Sequence, residues 1–380
     1  MRVVHISTRH KPLDVRIFYK ECRTLAAAGY DVHLIVPSPP LQQQDGVFFH
    51  SVNIATKARW LRLRRVLQRF GNTYRAYRTA ASLKAMVYHF HDPELIPISL
   101  LLKRTGAKVV YDVHEDFPRQ AFNLNQDQRL WSRFEASVWT ILEGVAKLSL
   151  DAFVCATPTI ARRFPKHQTI SVHNFPLLEE FKDLQAVDSS SRYCERPNNV
   201  AYVGSIFASR GIREMVQAID LLPEALQGKL LLAGNFLPLV LQSEVEQMHG
   251  WNRVEFLGWQ TREGVNRILG RSKIGLVLLH PTTAYLASYP VKLFEYMAAG
   301  LPVIASDFPL WREIVEGAGC GLLVDPRNPS AIAQAIQYLL EHPEEAEAMG
   351  LRGRQTVLTR YNWDAEASKL LELYSRIGRQ

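Results

Sequence analysis

Between Ser288 and Ser306 the chain reads SYPVKLFEYMAAGLPVIAS. Lys292 stands at the start of a run of helix formers. Tyr289, Pro290 and Val291 beside it would bring backbone N–H groups to the same helix N-terminus, where partial positive charge suits a phosphate. Glu295, one turn further in, is placed to accept hydrogen bonds from paired hydroxyls such as those of a ribose. Gly204 ends the apolar run VAYVG, where a missing side chain admits close approach, and Arg210-Gly211 opens the next helical stretch, where an arginine can grip phosphate bidentately. These four positions together have the chemistry of a nucleotide clamp. In the first half, two apolar runs end in histidine beside a carboxylate: VYHFH in His91-Asp92, and KVVYDVH in His114-Glu115-Asp116. The polar loop from Thr8 to Asp14, with His10 in it and Arg16 just beyond, follows the first apolar run.

The elements that must position these residues form two alternating series. RVVHIS, YDVHLIV, VFFHSVNI, VYHFH, KVVYDVH, DAFVCAT and ISVHNF read as strands of the first series, separated by helical stretches such as 15–28, 93–103 and 127–150. VAYVG, KLLLAG, VEFLG, IGLVLL, VIA and GLLV read as strands of the second, with helices over 212–222, 262–271, 291–299 and 329–340. Gly300 and Pro302 cap and stop the helix that carries Glu295. The expected organisation is a first domain over 1–176, a polar linker over 177–198, a second domain over 199–360 and a C-terminal helix over 361–380 that returns toward the first domain. Leu370, Leu371, Tyr374 and Ile377 form its apolar side. The fold class is α/β, with two Rossmann-like domains wound about parallel sheets and a cleft at their strand ends, the edge where ligands bind in such sheets.

A length of 380 residues fits two domains, and 47% hydrophobic with 22% charged residues excludes disordered and fibrous classes. The opening MRVVHIST lacks a signal-peptide h-region and no apolar run approaches a membrane span, so the chain is expected in the cytoplasm. Cys22, Cys155, Cys194 and Cys320 lack paired spacing, and no Asp-x-Asp pair occurs, so neither a disulfide frame nor a bound metal is expected. The absence of a glycine-rich phosphate fingerprint after the first strand weighs against P-loop and NAD-linked enzymes, and no cofactor is called for. The net charge of +8 is uneven: residues 1–180 hold 25 Lys and Arg against 15 Asp and Glu. The segment 57–84 carries nine basic residues and no acidic one, with Trp60, Leu63, Leu67, Phe70, Tyr74 and Tyr77 at helical spacing. Such a helix packs its apolar stripe inward and offers its basic back to anionic lipid. No nucleic-acid module accompanies the charge, so nucleic acid is not an expected partner.

The ordered set YVGSIFASRGI, VEFLGW, SYPVKLFEYMAAGLPVIAS, GLLV and a closing YNW helix resembles the C-terminal domain of retaining family 4 glycosyltransferases of GT-B architecture. HFHDPELIP and VYDVHEDFP resemble the acceptor-side domain of members that build bacterial surface polysaccharides. The resemblance implies a metal-independent, retaining enzyme that moves a sugar from a nucleotide diphosphate sugar to a lipid-linked or saccharide acceptor. The basic face of the first domain adds the expectation of a peripheral position at the inner face of the plasma membrane. By the same resemblance His114 lies at the reacting sugar, Glu295 holds the ribose and Arg210 grips the diphosphate; Gly204, Lys292, Tyr289 and Val291, read from their places in the chain, complete the expected donor site. His10, Arg16, His91, Asp92 and Glu115 are candidates for the acceptor site or the cleft. The sequence departs from the family pattern at Ala287, where the first of two glutamates is usual, and at Ser205, where a second basic residue grips the diphosphate; Lys292 is placed to restore that charge. A nucleotide-sugar epimerase of the same architecture, and a catalytically silent nucleotide-sugar-binding protein, stay open as alternatives.

Overall fold

Apolar strands that alternate with helices bury both faces by parallel pairing, because each crossover lays a helix on the sheet. The computed structural model describes residues 1–52, 61–114, 129–182 and 193–379, and only the backbone of the helical residues 61–70 and 129–135. Among the described residues the first sheet has eight strands: β1 (Arg2–Ile6), β2 (Asp31–Val36), β3 (Gln43–Gln44), β4 (Val47–Ser51), β5 (Val87–Phe90), β6 (Lys108–Val113), β7 (Ala152–Cys155) and β8 (Thr169–Ser171). Their spatial order is 3-4-2-1-5-6-7-8, parallel except where β3 turns back on β4. The second sheet holds β9 (Asn199–Val203), β10 (Lys229–Ala233), β11 (Val254–Gly258), β12 (Ile274–Val277), β13 (Val303–Ser306) and β14 (Gly321–Val324), all parallel in the order 11-10-9-12-13-14. In both sheets the winding reverses beside the first strand: β1 lies between β2 and β5, and β9 between β10 and β12. The carboxyl ends of β1 and β9, where Ser7 and Gly204 stand, are therefore the switch points at which α/β sheets bind ligands.

The chain divides into two compact units, residues 1–174 with 364–380, and residues 175–363. The segment read as a free linker is, where described, part of the second unit. Leu178–Phe181 and Tyr193–Glu195 are short helical turns, and Phe181 and Tyr193 are buried in that unit's core. Residues 183–192 lie outside the described residues. The last helix, Trp363–Gly378, buries Leu370, Leu373, Tyr374 and Ile377 in the first unit, while the expected Leu371 is half-buried. The burial follows a spacing of three and four, so Leu373 rather than its neighbour falls on the inner stripe.

The basic segment forms the helix Leu61–Leu83, with its first residues, 57–60, outside the described ones. In its described half the inner side is made by Ala76 and Ala80, with Tyr77 partly buried against them, whereas Tyr74 is 61% exposed. The expected stripe is thus corrected at Tyr74: small residues let the helix approach the sheet, and the tyrosine is left outside. No described helix is long and apolar enough to cross a membrane.

A helix over Pro343–Thr359 was not expected from the sequence, because its apolar positions are sparse and it holds two glycines. One of them explains its docking. A Cβ on Gly350 would lie 2.0 Å from the carbonyl oxygen of Gly300, the residue that ends the Glu295 helix. Ala in place of Gly favours a helix interior by about 1 kcal/mol, but backbone cannot yield to this contact as a side chain would. Gly350→Ala is expected to destabilise the fold by about 2 kcal/mol net, read as a lower midpoint in urea with an unchanged slope.

Candidate functional site

In the second unit, the turn after β9 gathers the cationic side chains. Gly204 has φ of +129°, a conformation that glycine adopts freely, and a Cβ there would sit 3.2 Å from Lys292 Nζ and 3.8 Å from Arg210 Nη1. Both cations therefore converge on the bare backbone of one residue. Arg210 ends a helical turn, Ala208–Arg210, that leads through Gly211 into the helix Ile212–Asp220. Its Nη1 donates to the Ser205 carbonyl at 3.1 Å. Lys292, in the helix Val291–Ala298, stands over the ring of Tyr202 at 3.6 Å, and among the described residues its buried ammonium has no hydrogen-bond partner. Burial, and then the nearby Arg210, hold its pKa well below the ordinary lysine value. An amine so placed gains from an anion that supplies both charge and acceptors.

Glu295 lies one turn beyond Lys292, and its Oε1 accepts from Arg262 Nη1 at 2.6 Å. The other end of that guanidinium is 2.7 Å from Glu180 Oε2, and its plane lies over Phe181 at 4.7 Å. Tyr289 packs its ring edge-on to Phe175 at 6.1 Å, so the ring serves the core of this unit. Val291 is the first residue of the Glu295 helix, and Pro290 precedes it in extended conformation. Ala287 closes the short helix Thr283–Leu286, and Ser205 is exposed.

In the first unit, a period of two decides the chemistry. Val4, Ile6, Tyr88, Phe90, Val109, Tyr111 and Val113 point to one face of the sheet and form its apolar core. The alternate positions His5, His89, His91, Asp112 and His114 fall on the other face, where β1 pairs with β5 and β5 with β6. His5 and His89 rings are 4.5 Å apart, and His91 and His114 rings 5.3 Å. Two elements cover this row. The segment Val15–Cys22 is a π-helix, started by Asp14, whose carboxylate accepts from Arg16 N and Ile17 N. It brings Arg16 and Glu21 under the sheet. The C-terminal helix contributes Tyr374, whose hydroxyl is 2.8 Å from His89 Nδ1.

Asp112 is the centre of this buried group. Arg16 donates to its two oxygens from Nε at 3.0 Å and Nη2 at 2.9 Å, and His114 Nε2 lies 2.7 Å from Oδ2. Burial alone would raise the Asp112 carboxyl, but Arg16 and His114 outweigh it and hold its pKa well below the usual range. Glu21 has the opposite balance: burial and the charge of Asp112 push its carboxyl well above the usual range, although Arg16 Nε is 3.1 Å away. Burial lowers His91 to about 4, against the pull of Asp112. Glu21, His89, His91 and Asp112 present ligand atoms within 4.8 Å of one another, a grouping whose members are too far apart in sequence for spacing to reveal. Both carboxylates already face the Arg16 guanidinium, so the charge a cation would supply is present within the protein.

Comparison with known proteins follows the same division. Residues 15–173 match Glycosyltransferase Family 4, and residues 185–356 match Glycosyl transferases group 1. The chain belongs to the family 4 glycosyltransferases of GT-B fold. It is 24% identical over 367 residues to the D-rhamnosyltransferase WbpZ of Pseudomonas aeruginosa, covering 92% of this chain and 89% of that protein. It is 28% identical to the lipopolysaccharide glucosyltransferase WaaG of Escherichia coli over 149 residues, 38% of each chain. Among solved structures, sucrose-phosphate synthase of Thermosynechococcus elongatus superposes with a TM-score of 0.77 at 21% identity, covering 100% of this chain and 99% of the other. HepE of Anabaena with UDP-glucose gives a TM-score of 0.73 at 13% identity, covering 99% and 100%.

The positions singled out in this glycosyltransferase from sequence separate into two kinds. Gly204, Arg210 and Lys292 come together, and Glu295 stands beside them. On the first unit, Arg16 is corrected from an acceptor-side candidate to a buried support: it is 4% exposed and also donates to the Val172 carbonyl. His91 is likewise buried, 1% exposed, with both ring nitrogens engaged. Asp92 is buried and ties down the loop after β1, accepting from Ser7 Oγ at 2.9 Å and Thr8 N at 2.7 Å. His10 is partly exposed, 3.5 Å from Asp92, and its ring lies 5.1 Å from that of His114. Glu115 lies outside the described residues. Sequence reasoning missed Arg262 and Asp112. Arg262 carried no signal beyond Thr261, the helix cap before it. Asp112 and His114 alternate with apolar residues in YDVH, and that period was the available clue.

Because the free Lys292 amine titrates below its ordinary range, an arriving diphosphate must raise its pKa and draw a proton from solvent. Pyrophosphate binding is expected to take up protons, increasingly so as pH rises, and to weaken as the amine loses its charge. Calorimetry in buffers of different ionisation enthalpy measures this, and Lys292→Met should abolish the uptake.

Proposed function

We propose that this glycosyltransferase takes its sugar from a nucleotide diphosphate sugar of the UDP or GDP type and passes it, with retention, to a lipid-linked or saccharide acceptor in cell-surface polysaccharide synthesis. The observation that carries the donor assignment is the partnerless, buried ammonium of Lys292 beside Arg210 at the bare backbone of Gly204. Arg210, with Lys292 protonated as the anion arrives, suits the diphosphate, and the two stabilise it most as it departs with its charge developing. In this reading they carry that charge without a metal ion. Glu295, with Arg262 on one oxygen, keeps the other for the ribose hydroxyls. His114 contacts a hydroxyl of the donor sugar, near the oxocarbenium-like centre of a retaining transfer.

The names of relatives support the substrate class. WbpZ is a rhamnosyltransferase, WaaG a lipopolysaccharide glucosyltransferase, and the HepE structure contains UDP-glucose. A mycobacterial relative, 38% identical over 82 residues, is a GDP-mannose-dependent mannosyltransferase acting on a phosphatidylinositol mannoside. Ala287 and Ser205 remove two of the family's usual donor contacts, so recognition of the sugar falls on other groups of this chain. The basic helix, with Arg75 and Arg78 exposed in its described half, is assigned to anionic lipid at the inner face of the plasma membrane.

A ligand that binds only the folded state raises its melting temperature. In a panel of UDP, GDP and dTDP sugars, one nucleotide class should raise the midpoint clearly above the rest. Glu295→Ala should weaken that nucleotide about ten- to hundredfold by the loss of charged hydrogen bonds; unchanged affinity would show the ribose assignment to be wrong. Vesicles containing anionic phospholipid should sediment the protein at low salt and release it as salt is raised. Sedimentation with neutral vesicles alike would count against an electrostatic contact.

A further inference from the structure

The bonds in the buried row of the first unit can each be given a direction, and the directions agree. Asp112, ionised by the Arg16 fork, has no hydrogen to donate, so every imidazole nitrogen that meets it must carry one. His91 Nδ1, 3.2 Å from Asp112 Oδ2, is therefore protonated, and its Nε2 is left as an acceptor 3.0 Å from His5 Nδ1. His5 then carries hydrogen on Nδ1, and its Nε2 accepts from the Tyr374 hydroxyl at 3.4 Å. That hydroxyl in turn accepts from His89 Nδ1 at 2.8 Å. The chain of donors runs from His89 through Tyr374, His5 and His91 and ends on Asp112, with every imidazole in it neutral. Burial, which keeps His5, His89 and His91 from charging, is consistent with that state.

The same rule applies on the other side of Asp112. His114 meets Oδ2 through Nε2 at 2.7 Å, so Nε2 carries the hydrogen and Nδ1 holds the lone pair. His91 Nδ1 lies 3.2 Å from that same Nε2, and because its own hydrogen is directed to Asp112 it does not reverse the assignment. Among the described residues no group bonds His114 Nδ1, and the side chain is 14% exposed.

We propose that Asp112 is a positioning residue that holds the hydrogen of His114 on Nε2, so that His114 Nδ1 meets the substrate as a hydrogen-bond acceptor, receiving a hydroxyl hydrogen. The inference rests on the reading of His114 as a sugar contact and specifies its chemistry. In this tautomer the ring's hydrogen is held at Nε2 against Asp112, and Nδ1 has none to give to the sugar. It selects a sugar with a free hydroxyl at that point and disfavours one whose oxygen is methylated or absent.

The test is ¹⁵N NMR of protein labelled at histidine, with the His114 signals found by comparison with His114→Ala. At mildly alkaline pH the wild type should show a bare Nδ1 and a protonated Nε2 at His114, and the Nδ1 signal should shift when the sugar nucleotide that most stabilises the protein is added. In Asp112→Asn the amide can donate to Nε2, so the tautomer should reverse or mix. Affinity for the sugar nucleotide should then fall about tenfold, the worth of one hydrogen bond, with affinity for the bare nucleotide unchanged. A wild-type His114 protonated at Nδ1, or a folded Asp112→Asn that keeps the original tautomer, overturns the proposal. The wild-type spectrum alone decides the first point, so a variant that fails to fold leaves the test intact. If the tautomer is as expected but His114→Ala binds and turns over sugar nucleotide unchanged, the sugar-contact reading fails and not the role of Asp112 in fixing the ring.

Discussion

An ionised carboxylate in a dry interior must be paired, and the first unit is arranged around one such pair, Arg16 with Asp112. Breaking a buried pair by removing one partner costs about 3–5 kcal/mol, because the other charge is left stranded. The structure meets that constraint from several elements at once. Asp14 starts the π-helix that carries Arg16 inward, β6 supplies Asp112, and the Val172 carbonyl accepts from the remaining guanidinium nitrogen. Glu21, the second carboxyl facing Arg16, is pushed toward its protonated form, so one cation serves one anion. The histidines and Tyr374 then find their hydrogen-bond directions from Asp112 outward. His114, the group at the edge of this network, inherits its orientation from it.

The second unit has the opposite balance. Lys292 and Arg210 lie close together at Gly204, and the neighbouring carboxylate, Glu295, is engaged by Arg262. What compensates Lys292 within the protein is the face of the Tyr202 ring, a cation–π contact that supplies attraction without neutralising charge. Such a site is held at some expense of stability, which the proposed diphosphate would relieve. In the first unit the central anion, Asp112, is thus paired within the protein, while in the second the buried Lys292 ammonium has no hydrogen-bond partner among the described residues. That difference separates buried support residues such as Arg16 and His91 from the residues proposed to meet the donor.

Much of this was legible from local pattern. The strands and most helices announced themselves by apolar runs and by glycine and proline at their ends, and Gly204, Arg210, Lys292 and Glu295 stood out because residues at strand ends and helix starts have a local reason to bind phosphate or ribose. The helix Pro343–Thr359 escaped because its inner surface is made partly by glycine, which carries no hydrophobic signal yet allows the backbone approach at Gly300. Arg262 escaped because an arginine in the first turn of a helix is ordinarily solvated; only its place beside Glu295 and Glu180 gives it work. Arg16, His91 and Asp92 were visible as polar residues near a strand end, but their burial was not.

The sequence by itself determined which faces of the strands would be apolar and which polar, since side chains alternate with a period of two whatever the strand pairs with. It likewise determined the family, through motifs that keep their order along the chain. Tertiary structure decided what the polar face is for. Pairing β1 with β5 and β5 with β6 set His5, His89, His91, Asp112 and His114 side by side, and the π-helix and C-terminal helix closed over them. Whether a histidine is a buried link or an open acceptor depends on distances between residues far apart in the chain, and those distances exist only once the sheet is assembled.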